Sequence, residues 1–494
     1  MVDSTSIACS SESTFGYGFT TSQNPPWNLH QVLEATGGKL VCGLLAEGLR
    51  AVCTDSRTVE PGDLFVALDG QNFDGHLFLE EAVRRGAAAV MVSREPEMEL
   101  PTSVVLVKDT QKALGDLARY RRLQIPGLKV AAITGSCGKT TVKEMLAAIL
   151  SLKAPVLKTR GNFNNLIGLP LSLLPISYHH RFAVLEMGMN SPGEISRLTE
   201  IAYPDVALIT TIKEAHLLGL HSIESIARAK SELFELAGPA TILVVNLDDP
   251  YIREMAKKFS QPKITFGSCK EADVRATHLA SRGPAGMAYT MHLAGLKRRI
   301  RSRLIGRHNV LNALAAAAAA LALGIDIESI VQGLEGFAAP RERMELRDLP
   351  GGIVLLNDVY NANPGSVAAA IEAVHGARGS AASIAVLGDM LELGVAADKL
   401  HERIGQTVQR YGFSALLAVG EFAASTVRGA RLAGMNESRS IACATKQEIV
   451  EHLLALIRSG ELQAGDWLLL KGSRGMQMEE VAAQLEAVLT KIGD

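Results

Sequence analysis

Short apolar runs alternate with amphipathic segments across residues 126–338, and this alternation constrains the fold more than any other feature of the sequence. Four of the apolar runs that precede helical patterns are "KVAAITG", "RFAVLEMGM", "DVALITTI" and "ATILVVN". The rhythm is typical of βαβ units, in which helices cover both faces of a parallel sheet. Ligands of open parallel sheets bind beyond the carboxyl ends of the strands, so the residues that follow each run are the candidates for chemistry.

The length of the chain, 494 residues, indicates several domains, because a single core of this size is unusual. We predict an α/β protein with three domains preceded by a flexible tail at residues 1–26, which contain no Lys or Arg. Residues 27–125 predict a small mixed α/β domain. Residues 126–338 predict a central domain built on a parallel sheet, and residues 339–494 repeat the alternation and predict a Rossmann-like domain.

Composition and charge exclude several classes of protein. The net charge of −2 gives no field that would attract nucleic acid or an anionic membrane. The six cysteines show no paired spacing, which argues for a reducing compartment and against a disulfide framework or a zinc site. The most apolar stretch, residues 311–324, is too short to span a bilayer. We therefore expect a cytoplasmic protein with no nucleic-acid partner and no membrane insertion.

The stretch "TGSCGKTT" is similar to a phosphate-binding loop but is shortened. Gly138, Lys139 and Thr140 match the Gly-Lys-Ser/Thr end of the usual pattern, whereas Gly135 precedes Gly138 by two intervening residues instead of four. A strand before the loop and a helix after it would present backbone N–H groups to an anion. Lys139 would reach β- and γ-phosphates and Thr140 would bind Mg²⁺. The alternative is an ordinary βα turn.

Cys137 lies inside this loop, next but one to Lys139. A helix N-terminus and a neighbouring positive charge both favour the thiolate, so the sequence predicts a pKa below the free value of roughly 8.5. We accordingly expect Cys137 to be the most reactive of the six cysteines.

Two candidate metal ligands follow other strands of the predicted sheet. Glu186 ends an apolar run, and its carboxylate would suit Mg²⁺, which takes one or two protein carboxylates together with phosphate oxygens. The alternative for Glu186 is a helix cap or an ion pair. His216, in "KEAHLLG", would join a metal or phosphate site or serve as a structural histidine.

Lys230 lies on the apolar stripe of a predicted helix, together with Ile226, Leu233, Phe234 and Ala237. Lysine on an apolar face is costly unless it is paired or modified. Two interpretations therefore stay open. The side chain extends its charged end to solvent at the edge of the stripe, or a neutral lysine reacts with CO₂ to give a carbamate that ligates metal.

The stretch "GRHNVLNALAAA" places Asn309 and Asn312 at the start of a long alanine-rich helix. Asparagine at a helix start is usually a cap. The Asn309 side chain could instead hydrogen-bond the edge of an adenine, and both interpretations stay open.

Polar side chains also gather in three loops that follow C-terminal apolar runs, namely "NDVYNANPGS", "LGDMLELG" and "LLKGSRGMQMEE". The candidates in these loops are Asp358, Tyr360, Asn361, Asn363, Asp389, Glu392, Lys471, Ser473 and Arg474. A turn requires residues such as Asn and Pro but does not require Asp and Tyr as well. Turn chemistry and function are therefore both open for these residues.

Taken together, these stretches resemble the Mur ligase family, whose members are ATP-dependent amide-bond ligases of peptidoglycan precursor synthesis. The phosphate loop of that family reads Thr-Gly-x-x-Gly-Lys-Thr, which accounts for the short spacing here. The match runs over nearly all of residues 30–490 in the family's order. Stretches that carry it include "TDSRTVEPGDLFVAL", "DGHLF", "GNFNNLIGLP", "LEMGMNSPGEI", "ARAKSELF", "GRHNVLNALAA" and "DVYNANP".

The resemblance implies a role for each candidate around ATP. The nucleotide would be bound by Gly135, Ser136, Cys137, Gly138, Lys139, Thr140, Thr141, Asn309, Arg343 and Asp358. Two Mg²⁺ ions would be held by Thr140, Glu186, His216 and a carbamylated Lys230. The catalytic residues would be Lys139, His216 and Lys230. Arg343 and Asp358 would reach the nucleotide from the C-terminal domain.

The resemblance also implies two further substrates. "NANPGS", "LGDMLELG" and "KGSRGMQMEEV" are similar to the family members that join D-alanyl-D-alanine to UDP-N-acetylmuramoyl-tripeptide, and the Asp-Asn-Pro-Arg motif of another branch is absent. The N-terminal domain would bind the uridine nucleotide, and the C-terminal domain the dipeptide. The implied contacts outside the C-terminal loops are Ser56, Arg57, Asp74, His76, Asn164 and Asn165. We expect the enzyme to be a monomer.

Three other functions are alternatives to this one. A folate ligase of the same superfamily would lack the "TDSR…DGH" block. A P-loop NTPase switch or kinase would hydrolyse ATP without an amino-acid substrate. A non-catalytic nucleotide-binding protein would not need Lys139, Glu186 and Lys230 together.

Overall fold

The structure is a computed structural model that describes residues 27–45, 48–70, 73–214 and 222–493. The predicted tail at residues 1–26 and His216 lie outside the described residues. Three β-sheets organise the described chain, each covered by helices. None of the helices described is long and apolar enough to cross a membrane.

The N-terminal unit is built on a five-stranded sheet with the order β1-β5-β4-β3-β2. Its strands are β1 (Lys39–Cys42), β2 (Val52–Cys53), β3 (Leu64–Val66), β4 (Ala89–Val92) and β5 (Ser103–Leu106). Its helices are α1 (Leu29–Thr36), α2 (Leu79–Arg84) and α3 (Thr110–Leu123). Strands β2 to β5 are parallel and β1 is antiparallel to β5. The loops after β2, β3 and β4 therefore open on one edge of the sheet.

The central unit is built on a nine-stranded sheet with the order β14-β13-β12-β11-β10-β9-β6-β8-β7. Its strands are β6 (Lys129–Thr134), β7 (Val156–Lys158), β8 (Phe182–Glu186), β9 (Val206–Ile209), β10 (Ile242–Asn246), β11 (Lys263–Gly267), β12 (Val274–Ser281), β13 (Met287–Leu293) and β14 (Leu296–Ser302). Its helices are α4 (Lys139–Ser151), α5 (Gly168–Leu173), α6 (Glu194–Ala202), α7 (Ile223–Glu235), α8 (Pro250–Ala256), α9 (Arg307–Ala322) and α10 (Ile327–Gly336).

The predicted parallel sheet is confirmed from β6 to β12, and the antiparallel extension through β13 and β14 was not predicted. The last hairpin turns at Ala294 and Gly295, which both have positive φ (47° and 76°). Two-residue hairpin turns favour such left-handed pairs, but alanine at the first position is not one of their usual residues. The sequence therefore gave only a weak signal for this hairpin.

The C-terminal unit is built on a six-stranded sheet with the order β15-β16-β20-β17-β18-β19. Its strands are β15 (Glu345–Asp348), β16 (Val354–Asp358), β17 (Ser383–Gly388), β18 (Ala415–Val419), β19 (Ser440–Cys443) and β20 (Trp467–Lys471). Its helices are α11 (Pro364–Ala377), α12 (Ala397–Arg410), α13 (Ala423–Leu432), α14 (Lys446–Arg458) and α15 (Glu479–Gly493). All strands but β15 are parallel, which confirms the predicted Rossmann-like α/β class.

The N-terminal and central units share one hydrophobic core. Leu114 and Leu117 of α3 belong to the same buried cluster as Leu198 and Ile201 of α6. A polar contact also joins the two units, since Arg122 donates to the carboxylate of Asp205 at 3.1 Å. The N-terminal domain, which is predicted to bind the uridine nucleotide, is therefore joined to the central unit by buried apolar side chains.

Helix α9 packs against α4, the helix that begins at the phosphate loop. Its alanine run is buried on all sides, from Ala315 to Ala320, and lies in one cluster with Val142, Met145 and Ile149 of α4. A helix that is apolar all round is typical of a buried core element. Small side chains allow α4, which begins at the phosphate loop, to lie close against α9.

Helices α12 and α13 cross at two glycines, and this crossing yields a stability prediction. A β-carbon at Gly405 would overlap the backbone carbonyl oxygen of Thr426, and one at Gly429 would overlap that of Glu402. We expect Gly405→Ala to destabilise the protein by about 1–3 kcal/mol, because overpacking outweighs the gain in helix propensity. Thermal unfolding followed by circular dichroism measures the change.

The matched control is Gly376→Ala in α11, where an added β-carbon meets no atom within 4 Å. This substitution should leave stability unchanged or raise it by roughly 0.5–1 kcal/mol. If both variants gained stability equally, the close crossing of α12 and α13 would be contradicted.

Candidate active site

The phosphate loop takes a conformation that requires glycine at two positions. Gly135 has φ 146° and Gly138 has φ 84°. A β-carbon at Gly135 would collide with the hydroxyl of Thr210, and one at Gly138 with the side-chain oxygen of Asn312. The backbone N–H groups of residues 137–141 have no acceptor within the described chain. The short loop and the N-terminus of α4 therefore form a cradle of unpaired donors, as an anion site requires.

Ser136 anchors this loop to the segment after β9. Its hydroxyl donates to the carbonyl oxygen of Lys213 at 2.9 Å and accepts from the Lys213 N–H at 3.0 Å. The Ser136 N–H donates to the Thr211 carbonyl at 2.8 Å, and the Thr210 hydroxyl donates to the Cys137 carbonyl at 2.5 Å. These bonds use the polar groups of Ser136 to fix the loop.

Lys139 folds back over the loop and donates to the Gly135 carbonyl at 2.8 Å. Burial lowers the pKa of Lys139, the charge of Arg343 adds to that lowering, and the charge of Glu186 opposes it. The charges of Glu186 in the central unit and of Arg343 in the C-terminal unit thus both act on Lys139. Thr141 follows Thr140 in the first turn of α4, and its N–H belongs to the cradle.

Glu186 is a buried carboxylate at the end of β8, 3% exposed. Its Oε2 accepts from the Thr140 hydroxyl at 2.7 Å, and its Oε1 accepts from the Asn164 amide at 2.9 Å. A hydroxyl and a carboxylate are the hard oxygen donors that Mg²⁺ prefers. The donor set therefore fits the predicted ion. His216 is not among the described residues. Within the described part of the chain, no group of three or more His, Cys, Asp or Glu side chains could hold a metal.

Asn165, the neighbour of Asn164, has a structural partner. Its side-chain oxygen accepts from the Gly168 N–H at 2.7 Å and the Ile167 N–H at 3.2 Å, at the start of α5. Of the two asparagines, Asn164 is the one that contacts Glu186.

Lys230 is buried on α7 and 1% exposed, and the rest of the predicted stripe is buried with it. Its amine has no hydrogen bond or ion pair with any described residue. Burial holds the pKa of Lys230 well below the usual value, and the charge of Lys139 lowers it further. A lysine extending to solvent does not fit a side chain this buried. The structure favours a neutral amine near the phosphate loop.

The prediction for the Cys137 pKa is wrong in direction. Burial raises the pKa of the thiol, although a hydrogen bond with Asn363 and the charges of Lys139, Lys471 and Lys213 favour the thiolate. The thiol donates to the Asn363 side-chain oxygen at 3.2 Å. Desolvation of the thiolate outweighs the positive charges that the sequence showed.

Arg343 approaches the phosphate loop from the C-terminal unit. Its guanidinium lies 3.7 Å from the ring centroid of Tyr360, and the Arg474 guanidinium lies 6.0 Å from the same centroid. The residues on either side of Arg343, Glu342 and Met344, have positive φ of 61° and 51°. These left-handed residues lie in the connection between the central and C-terminal units, and the charge of Arg343 acts on Lys139.

A buried ion pair closes the carboxyl ends of β16 and β20. Lys471, 1% exposed, donates to Oδ2 of Asp358 at 2.6 Å and to the Asn361 carbonyl at 2.7 Å. The Met344 N–H donates to Oδ1 of Asp358 at 3.1 Å. Lys471 therefore holds Asp358 and the Asn361 loop in place.

Several other C-terminal candidates take part in turn chemistry. Both oxygens of Asp389 accept backbone N–H groups, from Glu421 at 2.7 Å and Phe422 at 3.1 Å. The Ser473 hydroxyl accepts from the Leu391 N–H at 2.9 Å. Further placements are Asn363 as the N-cap of α11, Arg474 in an ion pair with Glu342 at 2.9 Å, and Glu392 in an exposed turn with φ 63°.

The N-terminal candidates lie in the loops after β2 and β3. Ser56 is buried, whereas the Arg57 side chain is 82% exposed and pairs with Asp55 at 2.7 Å. His76 Nε2 accepts from the Ser93 N–H at 3.0 Å, so its Nδ1 carries the proton that is donated to Asp74 at 2.7 Å.

Burial acts to raise the pKa of Asp74, but hydrogen bonds from His76 and Arg94 outweigh it and lower the pKa to about 2. This loop therefore presents an ordered carboxylate that stays ionised at neutral pH.

The start of α9 rules out one of the two interpretations of Asn309, that it caps the helix. The helix is capped by Gly306, so Asn309 is not its cap. Asn309 is buried, donates to the Ile305 carbonyl at 2.9 Å and accepts from Asn312 at 3.1 Å. Asn312, which the sequence also places at the start of this helix, lies three residues from Asn309 and so on the same helix face.

His308 was missed. Burial lowers its pKa to about 4, and the charges of Asp358 and Lys471 act on it in opposite directions. A lone histidine at the start of a helix gives no sequence signal of such a neighbourhood.

The thiol geometry predicts the order of cysteine alkylation. Cys42 is exposed, whereas Cys137 is half-buried with a raised pKa. We expect brief treatment with iodoacetamide at pH 7 to label Cys42 before Cys137, and labelling of Cys137 to increase at higher pH as the thiolate forms. Peptide mapping by mass spectrometry measures both, with Cys137→Ser as the control, and faster labelling of Cys137 would contradict the buried geometry.

Three family models match the chain in the order of its three sheets. They are "Mur ligase family, catalytic domain" at residues 49–122, "Mur ligase middle domain" at residues 133–320, and "Mur ligase, glutamate ligase domain" at residues 342–474. The phosphate loop, Glu186 and Lys230 lie in the middle match. Arg343, Asp358 and Lys471 lie in the last one.

Curated relatives are similar along most of their length. A UDP-N-acetylmuramoyl-tripeptide–D-alanyl-D-alanine ligase of Escherichia coli (strain K12) is 37% identical over 444 residues, covering 89% of this chain and 94% of that relative. The ligase of the same name from Bacillus subtilis (strain 168) is 36% identical over 438 residues, covering 88% and 93%.

Solved structures show the same similarity. A crystal structure of MurF from Acinetobacter baumannii has a TM-score of 0.87 at 36% identity and covers 94% of this chain and 99% of that one. MurF ligase from Thermotoga maritima in complex with ADP has a TM-score of 0.80 at 28% identity and covers 90% and 98%. The chain therefore belongs to the Mur ligase family and is an ATP-dependent ligase.

Proposed function

We propose that this protein joins D-alanyl-D-alanine to UDP-N-acetylmuramoyl-tripeptide and converts ATP to ADP and phosphate. The observation that carries the proposal is the contact between the central and C-terminal units at the phosphate loop, where the Cys137 thiol donates to Asn363 and the charge of Arg343 acts on Lys139. Nucleotide and acceptor loops thus converge on one place. The substrate names come from the relatives that match the chain over most of its length.

In this proposal, the cradle of N–H groups at residues 137–141 receives the ATP phosphates. Lys139 would exchange its bond to Gly135 for a phosphate oxygen and offset the charge that spreads over the transferring group. Asn309 would meet the adenine, and Arg343 and Asp358 would complete the nucleotide site from the C-terminal unit.

Thr140, Glu186, His216 and a carbamylated Lys230 would hold two Mg²⁺ ions. When bound, the ions would neutralise phosphate charge. The amine of Lys230 is buried and has no partner among the described residues, which supports the carbamate. A neutral amine attacks CO₂, its nitrogen loses a proton, and the product carries a carboxylate that supplies oxygen ligands.

We assign the uridine nucleotide to the N-terminal loops that contain Ser56, Arg57, Asp74 and His76. The dipeptide is assigned to the C-terminal loops, where the Arg474 side chain is 58% exposed beside Tyr360. Residues 27–125, 126–338 and 339–494 would then be the domains for uridine nucleotide, ATP and dipeptide. Use of ATP and of a UDP-linked precursor supports a cytoplasmic site of action.

The proposed reaction has two steps. The free carboxylate of the tripeptide attacks the γ-phosphorus of ATP, ADP leaves, and an acyl phosphate forms. The amine of D-alanyl-D-alanine then attacks the acyl carbon, loses a proton, and displaces phosphate to leave an amide. Closure of the C-terminal unit on the phosphate loop would exclude water, which otherwise hydrolyses the acyl phosphate.

The first test of the proposal is the requirement for three substrates. We expect phosphate release only when ATP, UDP-N-acetylmuramoyl-tripeptide and D-alanyl-D-alanine are all present, because each step needs the preceding one. Lys139→Ala should abolish the release, whereas Lys153→Ala, at an exposed ion pair with Asp326, should keep it. Equal phosphate release from ATP alone would favour a switch-like ATPase instead.

The second test concerns the carbamate on Lys230. Lys230→Ala should lower turnover by roughly 100-fold or more while the protein stays folded, because an oxygen ligand is lost. Short-chain carboxylic acids should partly restore turnover by entering the vacated space. The control is Arg228→Ala on the exposed face of the same helix, which should remain active.

Depletion of CO₂ from the buffer should lower the activity of the unmodified enzyme, and adding bicarbonate should return it. Near-normal turnover of Lys230→Ala in CO₂-depleted buffer would refute the carbamate and leave the ligase proposal to be judged by phosphate release.

A further inference from the structure

A second lysine is buried beside the phosphate loop and has no role in the proposed reaction. Lys143 lies one turn after Lys139 on α4 and is 1% exposed. Its Nζ donates to the Thr159 carbonyl at 2.9 Å and lies 3.1 Å from Oε1 of Glu144. The same nitrogen lies 3.9 Å from Oε2 of Glu186. Lys143 therefore faces the carboxylate that receives the Thr140 hydroxyl.

Lys143 belongs to a cluster of charges that includes Glu186. Glu144 forms a second ion pair with Lys158, which is 48% exposed. Two cations, Lys143 and Lys158, thus meet two carboxylates, Glu144 and Glu186. A buried carboxylate without a counter-charge is strongly destabilising, and so is a buried ammonium. Thr140 and Asn164 satisfy the hydrogen bonds of Glu186 but bring no charge. Lys139 is a second cation whose charge interacts with Glu186, but its amine bonds the Gly135 carbonyl and would move to phosphate in the proposed reaction.

Thr159 joins Lys143 and Glu186 through the backbone as well. Its carbonyl accepts from Lys143, and its hydroxyl accepts from the Glu186 N–H at 2.9 Å. Lys143 on α4 therefore holds Thr159, the residue after β7, and Thr159 in turn holds Glu186 on β8. Removing the ammonium would take its positive charge away from Glu186 and would break the hydrogen bond between Lys143 and the Thr159 carbonyl.

We propose that Lys143 is a positioning residue that serves as the resident counter-charge of Glu186 when no metal is bound. The role toward metal rests on the proposed function, whereas the coupling of the two charges does not. A fixed ammonium near Glu186 keeps the site assembled between turnovers. The same charge repels an arriving cation and so weakens Mg²⁺ binding, which favours release after each reaction.

A double-mutant cycle without metal tests the charge coupling. The stabilities of Lys143→Met, Glu186→Gln and the double variant are measured by thermal unfolding in EDTA, without nucleotide. We expect Lys143→Met to lower the unfolding temperature by several degrees, and by clearly less in the Glu186→Gln background. Equal losses in both backgrounds would overturn the proposal, because Lys143 would then serve only Glu144 and Thr159.

Two further variants separate charge from packing. Lys143→Gln can still donate to the Thr159 carbonyl but lacks the charge, so it should show the same dependence on Glu186, and it replaces Lys143→Met if that variant does not fold. Lys158→Met removes the exposed partner of Glu144 and should show no coupling to Glu186. Coupling of Lys158→Met as strong as that of Lys143→Gln would point to the whole cluster and would overturn the specific assignment.

Metal binding gives an independent readout. Mg²⁺ is titrated in the presence of ADP, and binding is followed by the rise in unfolding temperature. Lys143→Gln should reach half of its rise at a Mg²⁺ concentration several-fold lower than the unmodified enzyme does. An unchanged or higher concentration would overturn the repulsion argument. These measurements need no turnover, so they stand even if the three-substrate requirement fails.

Discussion

The arrangement of the site depends on the pair of hydrogen bonds between the Ser136 hydroxyl and the backbone of Lys213. They join the phosphate loop to the segment after β9, and that segment contacts the C-terminal unit. Glu214 forms an ion pair with Arg403 of α12 at 3.3 Å, and a β-carbon at Gly365 of α11 would touch the Lys213 side chain. The phosphate loop is therefore linked, through Lys213 and Glu214, to helices α11 and α12 of the C-terminal unit.

Four lysines around the loop show four ways to place an amine away from water. Lys471 is held by a carboxylate and a carbonyl, and Lys143 by two carboxylates and a carbonyl. Lys139 uses one backbone carbonyl, which is a partner that a ligand can replace. Lys230 has no partner among the described residues and is the amine best suited to chemical modification. The partners thus separate structural lysines from candidates for chemistry.

Much of the fold and part of the site could be predicted from the sequence. Strand runs with helical partners predicted the parallel strands, because hydrophobic period and turn residues are local signals. The stripe around Lys230 was predicted for the same reason. The raised pKa of Cys137 could not be, since desolvation depends on chain segments far apart in sequence. Lys143 gave no signal, because a lysine within an amphipathic helix is ordinary until its neighbours are known.

The alanine run of α9 affects how this chain can vary. Repetitive stretches of small residues are commonly regarded as tolerant of change, yet Ala315 to Ala320 are all buried and lie in one cluster with α4. Residues of the run that face α4 leave no room for a larger side chain, so added methyl groups there would push α4 outward and shift Lys139 and Thr140, which lie in its first turn. The run therefore acts as a spacer beneath the phosphate loop, and a change in its side-chain size would alter the position of these two residues without replacing either of them.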